Sequence, residues 1–254
     1  MAYFIYQGVI DSDRPFIISG DEANHIRKSR RIRKEESIHI QDSRFRRFSA
    51  QVVGIARHGI ELLPQYELPT IPESKLEISL FQALIKEKAI DSIIQKTTEL
   101  GVSNIFVFGS KYSQVPKDKS ILEKKLFRWK KIAQEACKQS DRARPPQLAF
   151  IGRLSDYIDE TKHWNSSDFP VLLLDQSGPP FSEIELKTPK GCGIVVGPEG
   201  GWKGEEINFK KTIKVSIGHR VLRADTAAIV STGILQFLFG DLQQSHQPTD
   251  STYA

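Results

Sequence analysis

The chain has 254 residues, 39% hydrophobic and 26% charged, with a net charge of +5. That length suits one large domain or two modest ones and buries roughly 70 to 75% of the extended surface, so no disulfide or metal staple is needed. Cys137 and Cys192 lie far apart and no Cys/His group has metal-ligand spacing; a disulfide framework and a zinc module are excluded, and two buried free thiols in a reduced, intracellular protein are expected.

The opening stretch MAYFIYQGVIDSD carries neither a basic leader nor a long apolar core, which points to the cytoplasm. Residues 1–70 contain short runs of β type, FIYQGVI, PFIIS, SIHIQD, FSAQVVGIA and GIELLP, broken by Gly, Asp and Arg. This spacing predicts a small β-barrel. Between the second and third runs, HIRKSRRIRK has six basic residues in ten. Arg27, Arg30, Arg31, Arg33 and Lys34 are expected along the barrel edge, where they suit the phosphates of a polyanionic partner; His25 is left without a role.

YELPTIPESK, residues 66–75 with Pro69 and Pro72, reads as a linker. Beyond it, over residues 75–243, strands and helices alternate. LEISLFQAL is a strand. Residues 87–100 place Ile90, Ile93, Ile94, Thr97 and Leu100 on one helical face, and Gly101 suits the left-handed residue after a helix. NIFVF is the next strand. The long helix SILEKKLFRWKKIAQEACKQS opens with Ser120 and Glu123 in capping-box spacing and aligns Leu122, Leu126, Trp129, Ala133 and Ala136 in one stripe, so Trp129 is a core residue. Residues 110–145 hold eleven Lys/Arg against four acids, an excess that suits a polyanionic partner.

The strands QLAFI, PVLLL, CGIVVG and IKVSI follow, separated by short helical stretches. Continuous apolar strands alternating with helices predict an α/β fold with a parallel sheet covered on both faces. The segment 226–240, TAAIVSTGILQFLFG, is shorter than the roughly 20 residues a membrane span needs and reads as a core or interface helix, with Asp225 as its N-cap. Residues 245–254 read as a disordered tail.

Ligands of parallel sheets sit beyond the carboxyl ends of the strands. Three such ends draw attention: 172–181, 195–206 and 215–227. In the second, IVVGPEGGWKGEEI, a strand passes through a Gly-Pro-Glu-Gly-Gly turn into a helix start. Lys203 lacks the flanking residues of a Walker loop, and GCGIVVG precedes its strand with the wrong spacing for a dinucleotide fingerprint. Glu199 would repel a phosphate, whereas carboxylate and bare amides suit a ribose hydroxyl, an adenine edge or a cationic nucleoside. An ordinary tight turn with Glu199 exposed is the alternative.

GPEGGWKGEEI with LRADTA, FQALIKEKAIDSIIQKTTELGV and RWKKIAQEACKQSDRARPP resembles, in order, the SPOUT class of RNA methyltransferases, in particular the family that methylates uracil N3 of bacterial 16S ribosomal RNA, called RsmE. The likeness covers residues 75–243 and, weakly, HIRKSRRIR. Where the family usually reads Leu-Arg-Thr-Glu-Thr-Ala, this chain has Leu222 to Ala227 with Ala224 and Asp225, a carboxylate one methylene shorter.

The resemblance implies a SPOUT-type parallel sheet with a carboxyl-terminal trefoil knot, a PUA-like β-barrel before it, a homodimer, and S-adenosylmethionine as methyl donor, with no metal and no membrane. It places Leu174, Asp175, Gly197, Glu199, Gly200, Ile217, Gly218, Val221, Leu222 and Ala227 around the donor. Uracil N3 must be reached on an unpaired base and must lose its proton; Arg223 is the candidate for stabilising the anion and Asp225 for taking the proton, with Glu99 and Glu135 as further bases. Gln139 and Arg142 are expected at the target nucleotide of the 16S ribosomal RNA, naked or within the assembled small subunit, and the resemblance implies that Arg27, Arg30, Arg31, Arg33 and Lys34 hold an RNA backbone rather than read bases. His219 receives no role. A SPOUT enzyme for another ribosomal or transfer RNA position, a noncatalytic RNA-binding assembly factor and a nucleotide enzyme of other chemistry are the alternatives.

Overall fold

A computed structural model of the chain describes residues 3–30, 32–111, 113, 115–161, 164, 166–187, 189–202 and 212–243, without the side chains of Ser29 and Arg30. The expected tail at 245–254 and the helix start after Trp202 lie outside the described residues. The chain divides into two compact units, one formed by residues 1–72 with 138–144 and the other by 73–137 with 145–246.

The first unit is a five-stranded sheet of β1 (Phe4–Ile5), β2 (Phe16–Ile18), β3 (Ser37–Gln41), β4 (Arg47–Ala56) and β5 (Gly59–Leu68), in the order β1-β3-β4-β5-β2. β3, β4 and β5 form an antiparallel meander, and β1 lies parallel to β3. Ile38, Ile40, Phe48, Ala50, Val52, Ile60 and Leu62 fill its core.

Two expectations change here. The basic run is not an edge strand: it falls in helix α1 (Gly20–Arg30) and the turn after it. Asp21 and Glu22 in the first turn complement the helix dipole, and Ala23 and Ile26, three apart, enter the core. The linker is also shorter than 66–75, because β5 continues to Leu68. Pro64 is tolerated where the register slips between Ser49 and Ala50, a position at which a strand can spare an N–H.

The second unit is a six-stranded sheet of β6 (Glu77–Ala83), β7 (Asn104–Phe108), β8 (Gln147–Phe150), β9 (Val171–Leu174), β10 (Gly191–Val196) and β11 (Ile213–Val215). The order is β11-β9-β10-β6-β7-β8, and every pairing is parallel. Its strands send successive side chains to opposite faces. Ile78, Leu80, Ile105, Val107, Leu172 and Ile194 meet α2 (Glu87–Glu99), α3 (Lys119–Ser140) and α5 (Ala224–Phe239) through Ile93, Trp129, Ala133, Ala228 and Leu235. Phe81, Phe106, Phe108, Leu173 and Val195 face the other way, toward Trp164 and toward Leu154 and Ile158 of α4 (Leu154–Glu160). Both faces are covered, as continuous apolar strands require.

Gly101 closes α2 at φ +84, the left-handed value expected. The caps differ from expectation. Asp118, not Ser120, opens α3: its Oδ1 accepts the Ser120 N–H at 2.8 Å, which a Ser side chain inside the first turn cannot do for itself. α5 begins at Ala224 with Arg223 in the cap position and no side-chain cap. Asp225 instead sits in the first turn, where its Oδ1 accepts the Thr226 N–H at 2.8 Å. Among the described residues no helix is long and apolar enough to cross a membrane, and no group of three His, Cys, Asp or Glu could hold a metal ion.

Candidate active site

Three connections leave the carboxyl ends of β9, β10 and β11, which are neighbours or nearly so in the sheet. After β9, the Asp175 N–H donates to the Val215 carbonyl at 3.0 Å and extends the ladder by one residue. The chain then turns: Asp175 Oδ1 accepts the Ser177 N–H and the Ser177 hydroxyl, both at 2.8 Å, and the Gly178 N–H donates to the Asp175 carbonyl at 3.1 Å. The Ser177 N–H above all, with help from the Ser177 hydroxyl and the Lys214 ammonium 4.0 Å away, holds the Asp175 carboxyl below the usual carboxylate range despite partial burial. Gly178 has no room for a side chain, since a Cβ there would stand 2.7 Å from the Val215 nitrogen.

The glycine-rich connection after β10 is shaped by an aromatic residue. The Gly201 N–H donates to the Pro198 carbonyl at 2.9 Å, and Gly201 takes φ +74. Trp202 then folds back under the turn, its Nε1 donating to the Leu174 carbonyl at 3.2 Å and its indole lying parallel to Phe108 at 6.2 Å. A Cβ on Gly197 would come within 2.8 Å of that indole. The first glycine is therefore required by Trp202.

Past β11, the Ser216 N–H donates to the Pro179 carbonyl at 2.8 Å and the Phe181 N–H to the Ser216 carbonyl at 3.0 Å, tying this connection to the one after β9. Gly218 at φ +104 turns the chain toward α5.

Leu174, Asp175, Gly197, Glu199, Ile217, Gly218, Val221, Leu222 and Ala227 line one cavity of about 360 Å³ formed by these connections. Gln176, Trp202 and Arg220 join them. Aliphatic side chains and main chain dominate, with Asp175 and Glu199 as acids and Arg220 as the cation. Gly200 does not line it and lies instead in a cavity of about 530 Å³ with Lys86, Glu87 and Lys125, which shares Pro198 and Glu199 with the first.

Arg223 and Asp225 meet in a further cavity of about 560 Å³ that shares Glu199, Val221 and Leu222 with the first and is completed by Lys86, Lys88 and Ala89. Glu99 pairs with Lys96 at 3.0 Å in the last turn of α2, and neither it nor Glu135 lines any of these cavities.

The nucleic-acid candidates separate into tied and free groups. Arg27 donates to Asn24 Oδ1 and to the Gly59 carbonyl, both at 3.2 Å, so it braces the β4–β5 turn. Arg33, Lys34 and Gln139 are exposed, whereas Arg142 is only 9% exposed and offers little to a polyanion. Arg31 and the Arg30 side chain lie outside the described residues. Trp129 is core, and both cysteines are buried and outside any disulfide; burial pushes the Cys192 thiol up to about 12.

Sequence reasoning passed over Trp202, Lys86 and Lys88. The indole was hidden by its place between a lysine and a glycine in a turn. Lys86 and Lys88 could have been found, since IKEK follows the carboxyl end of β6, where ligands of a parallel sheet collect.

Residues 72–236 match the family model described as an RNA methyltransferase domain. The ribosomal RNA small subunit methyltransferase E of Mesomycoplasma hyopneumoniae is 30% identical over 217 residues, 84% of this chain and 90% of that one. Its namesake from Buchnera aphidicola of Acyrthosiphon pisum is 25% identical over 239 residues, covering 92% of both chains. The crystal structure of ribosomal RNA small subunit methyltransferase E from Neisseria gonorrhoeae bound to S-adenosyl methionine superposes with a TM-score of 0.82 at 27% identity, covering 95% of this chain and 99% of that one. A methyltransferase from Legionella pneumophila in complex with the same cofactor gives 0.84 at 26%, with the same coverage.

Proposed function

The chain belongs to the ribosomal RNA small subunit methyltransferase E family, and from that premise we propose that it methylates N3 of a uridine in bacterial 16S ribosomal RNA with S-adenosylmethionine as donor. The observation that carries this reading is the cavity built by the three connections, which fits the donor. Its aliphatic walls suit an adenine, the ionised Asp175 suits ribose hydroxyls and a positive charge, and Gly218, with open space where a Cβ would stand, admits close main-chain approach. Leu174, Asp175, Gly197, Glu199, Ile217, Gly218, Val221, Leu222 and Ala227 are assigned to it.

When bound, the donor supplies an electrophilic methyl group on a sulfonium. The chain must supply the rest: an extruded uracil, removal of its N3 proton, and compensation of the anion left behind. Arg223, exposed at the mouth of α5, offers a planar fork of donors for that anion, and Asp225, with Oδ1 occupied by the Thr226 N–H, keeps Oδ2 for the proton.

Three finer traits belong to the same proposal. The unit of residues 73–137 and 145–246 is read as a SPOUT domain with a trefoil knot, supported by the strand order and by family likeness, and the five-stranded unit as a PUA-like RNA-binding module. The enzyme is read as a cytoplasmic homodimer that uses the exposed Val230, Phe237 and Leu238 of α5; sedimentation equilibrium at twice the 28.7 kDa chain mass is expected. Arg33, Lys34 and Gln139 are proposed as RNA contacts.

Calorimetry with S-adenosylmethionine and ATP tests the donor, with binding expected for the first alone. Nucleoside mass spectrometry of 16S ribosomal RNA from cells lacking the protein tests the product. Loss of 3-methyluridine is the expected outcome, and retention of it removes the reading.

A further inference from the structure

Lys86 and Lys88 enter the cavity that Arg223 and Asp225 occupy, from a different element: Lys86 is the residue before α2, and Lys88 is in its first turn. Glu87, between them, is turned toward α3, where it pairs with Arg128 at 2.7 Å and with Lys125 at 3.9 Å. Neither Lys86 nor Lys88 has an ion-pair partner among the described residues, and the same holds for Arg223. Lysines commonly collect near a helix C-terminus, where the dipole favours them; two at the start of a helix are held against it. Three cations, one more than the two carboxylates Asp225 and Glu199 beside them, thus converge on a space that shares Glu199, Val221 and Leu222 with the donor cavity.

From this convergence we infer that Lys86 and Lys88, with Arg223, form the binding wall for the uracil anion, making this cavity the acceptor site. The inference rests on the proposed function and adds two residues to it. Its chemical need is plain. An imide N–H is a far weaker acid than a carboxylic acid, so a carboxylate can take the N3 proton only where the surroundings stabilise the resulting anion. Cations beside O2 and O4 do so, and the exposed Lys86, Lys88 and Arg223 act more strongly once the bound base displaces water from between them. N3 gives its proton to Asp225, its lone pair then takes the methyl group, and the carbon–sulfur electron pair returns to sulfur. The charges balance: sulfonium and imide anion become thioether and N-methylimide.

A phosphate of the flipped nucleotide is the other anion this wall could meet, and the test separates the two. 5-Fluorouridine 5′-monophosphate has an N3 proton that titrates in an accessible range, and its ionisation is followed by ultraviolet absorbance without any methyl donor. Bound to the full-length protein, it should ionise at a pH at least about one unit below that of the free nucleotide, a tenfold change in the ionisation constant. In Lys86→Ala/Lys88→Ala the ionisation should return most of the way to the free value, and in Lys86→Arg/Lys88→Arg it should stay shifted. Calorimetry with S-adenosylmethionine on the same variants should give wild-type affinity, which excludes unfolding as the cause. If the wild-type protein leaves the bound nucleotide ionising as it does when free, or binds none of it at millimolar concentration, the inference is overturned. It is equally overturned if the alanine pair lowers nucleotide affinity without moving the ionisation, since that assigns the lysines to the phosphate. Failure of the functional reading would look different: intact ionisation shifts with no 3-methyluridine formed in 16S ribosomal RNA.

Discussion

The cavity beyond β9, β10 and β11 and the cavity beside α2 share Glu199, Val221 and Leu222, yet their chemistry is opposite. The first is main chain and aliphatic side chain with the carboxylates of Asp175 and Glu199 against the one cation Arg220, and Asp175 is held ionised by the Ser177 N–H. The second gathers Lys86, Lys88 and Arg223 around Asp225. A reaction that joins a cationic donor to an anionic acceptor gains from such sorting, because each partner meets a field of opposite sign before they meet each other. The charge difference between two adjoining cavities, rather than any single residue, is what distinguishes this arrangement from a nucleotide site built for phosphate.

Removing a cation from one side only should break the contrast most sharply. Arg223→Ala is expected to slow single-turnover methyl transfer by about 10²–10³-fold, the size typical of one lost transition-state donor, while S-adenosylmethionine affinity stays within about twofold. An equal loss in both would make Arg223 part of the donor cavity instead. Gly197→Ala acts on the other side. Its Cβ would stand 2.8 Å from the Trp202 indole, which can yield only by giving up its bond to the Leu174 carbonyl and its stacking on Phe108. Donor affinity should fall by about tenfold, roughly the cost of one displaced polar contact, with a shift in tryptophan emission. Unchanged emission would mean that the indole is not what the glycine accommodates.

The division between the cavities was only half legible in the sequence. The three strand ends could be read because their apolar runs are unmistakable, VLLL, GIVV and IKV, and ligands of parallel sheets gather there, whereas the individual donor residues came from the family resemblance. The acceptor side depended on Lys86 and Lys88 meeting Arg223 from 135 or more residues away in sequence, and no local pattern reports such a meeting. Helix α1 was missed for a related reason: Ala23 and Ile26 are a short apolar stripe, and the six charges that follow resemble an edge strand as easily as a helix. Asp118 and Asp225 show the limit of cap reading, since Ser, Asp and Thr compete for the same position within one or two residues.

The smallest expected effect sharpens the anionic half. Asp175→Asn keeps an oxygen that accepts from Ser177 but removes the negative charge that the donor's sulfonium and ribose would meet, so affinity should fall by only a fewfold while the fold holds. The pH dependence carries more information than the amplitude. Because the Ser177 N–H depresses the folded carboxyl below its ordinary value of 3.8, the charge and the stability linked to it are fully present above that value and are lost only as pH falls through the lower, folded one. Wild-type donor affinity should therefore show no Asp175-dependent loss between pH 8 and about 5, and the ratio of wild-type to Asp175→Asn affinity should stay constant across that interval. A ratio that already collapses near pH 6 would mean that the carboxyl is not held ionised by the turn, and that the contrast between the two cavities is weaker in solution than their linings suggest.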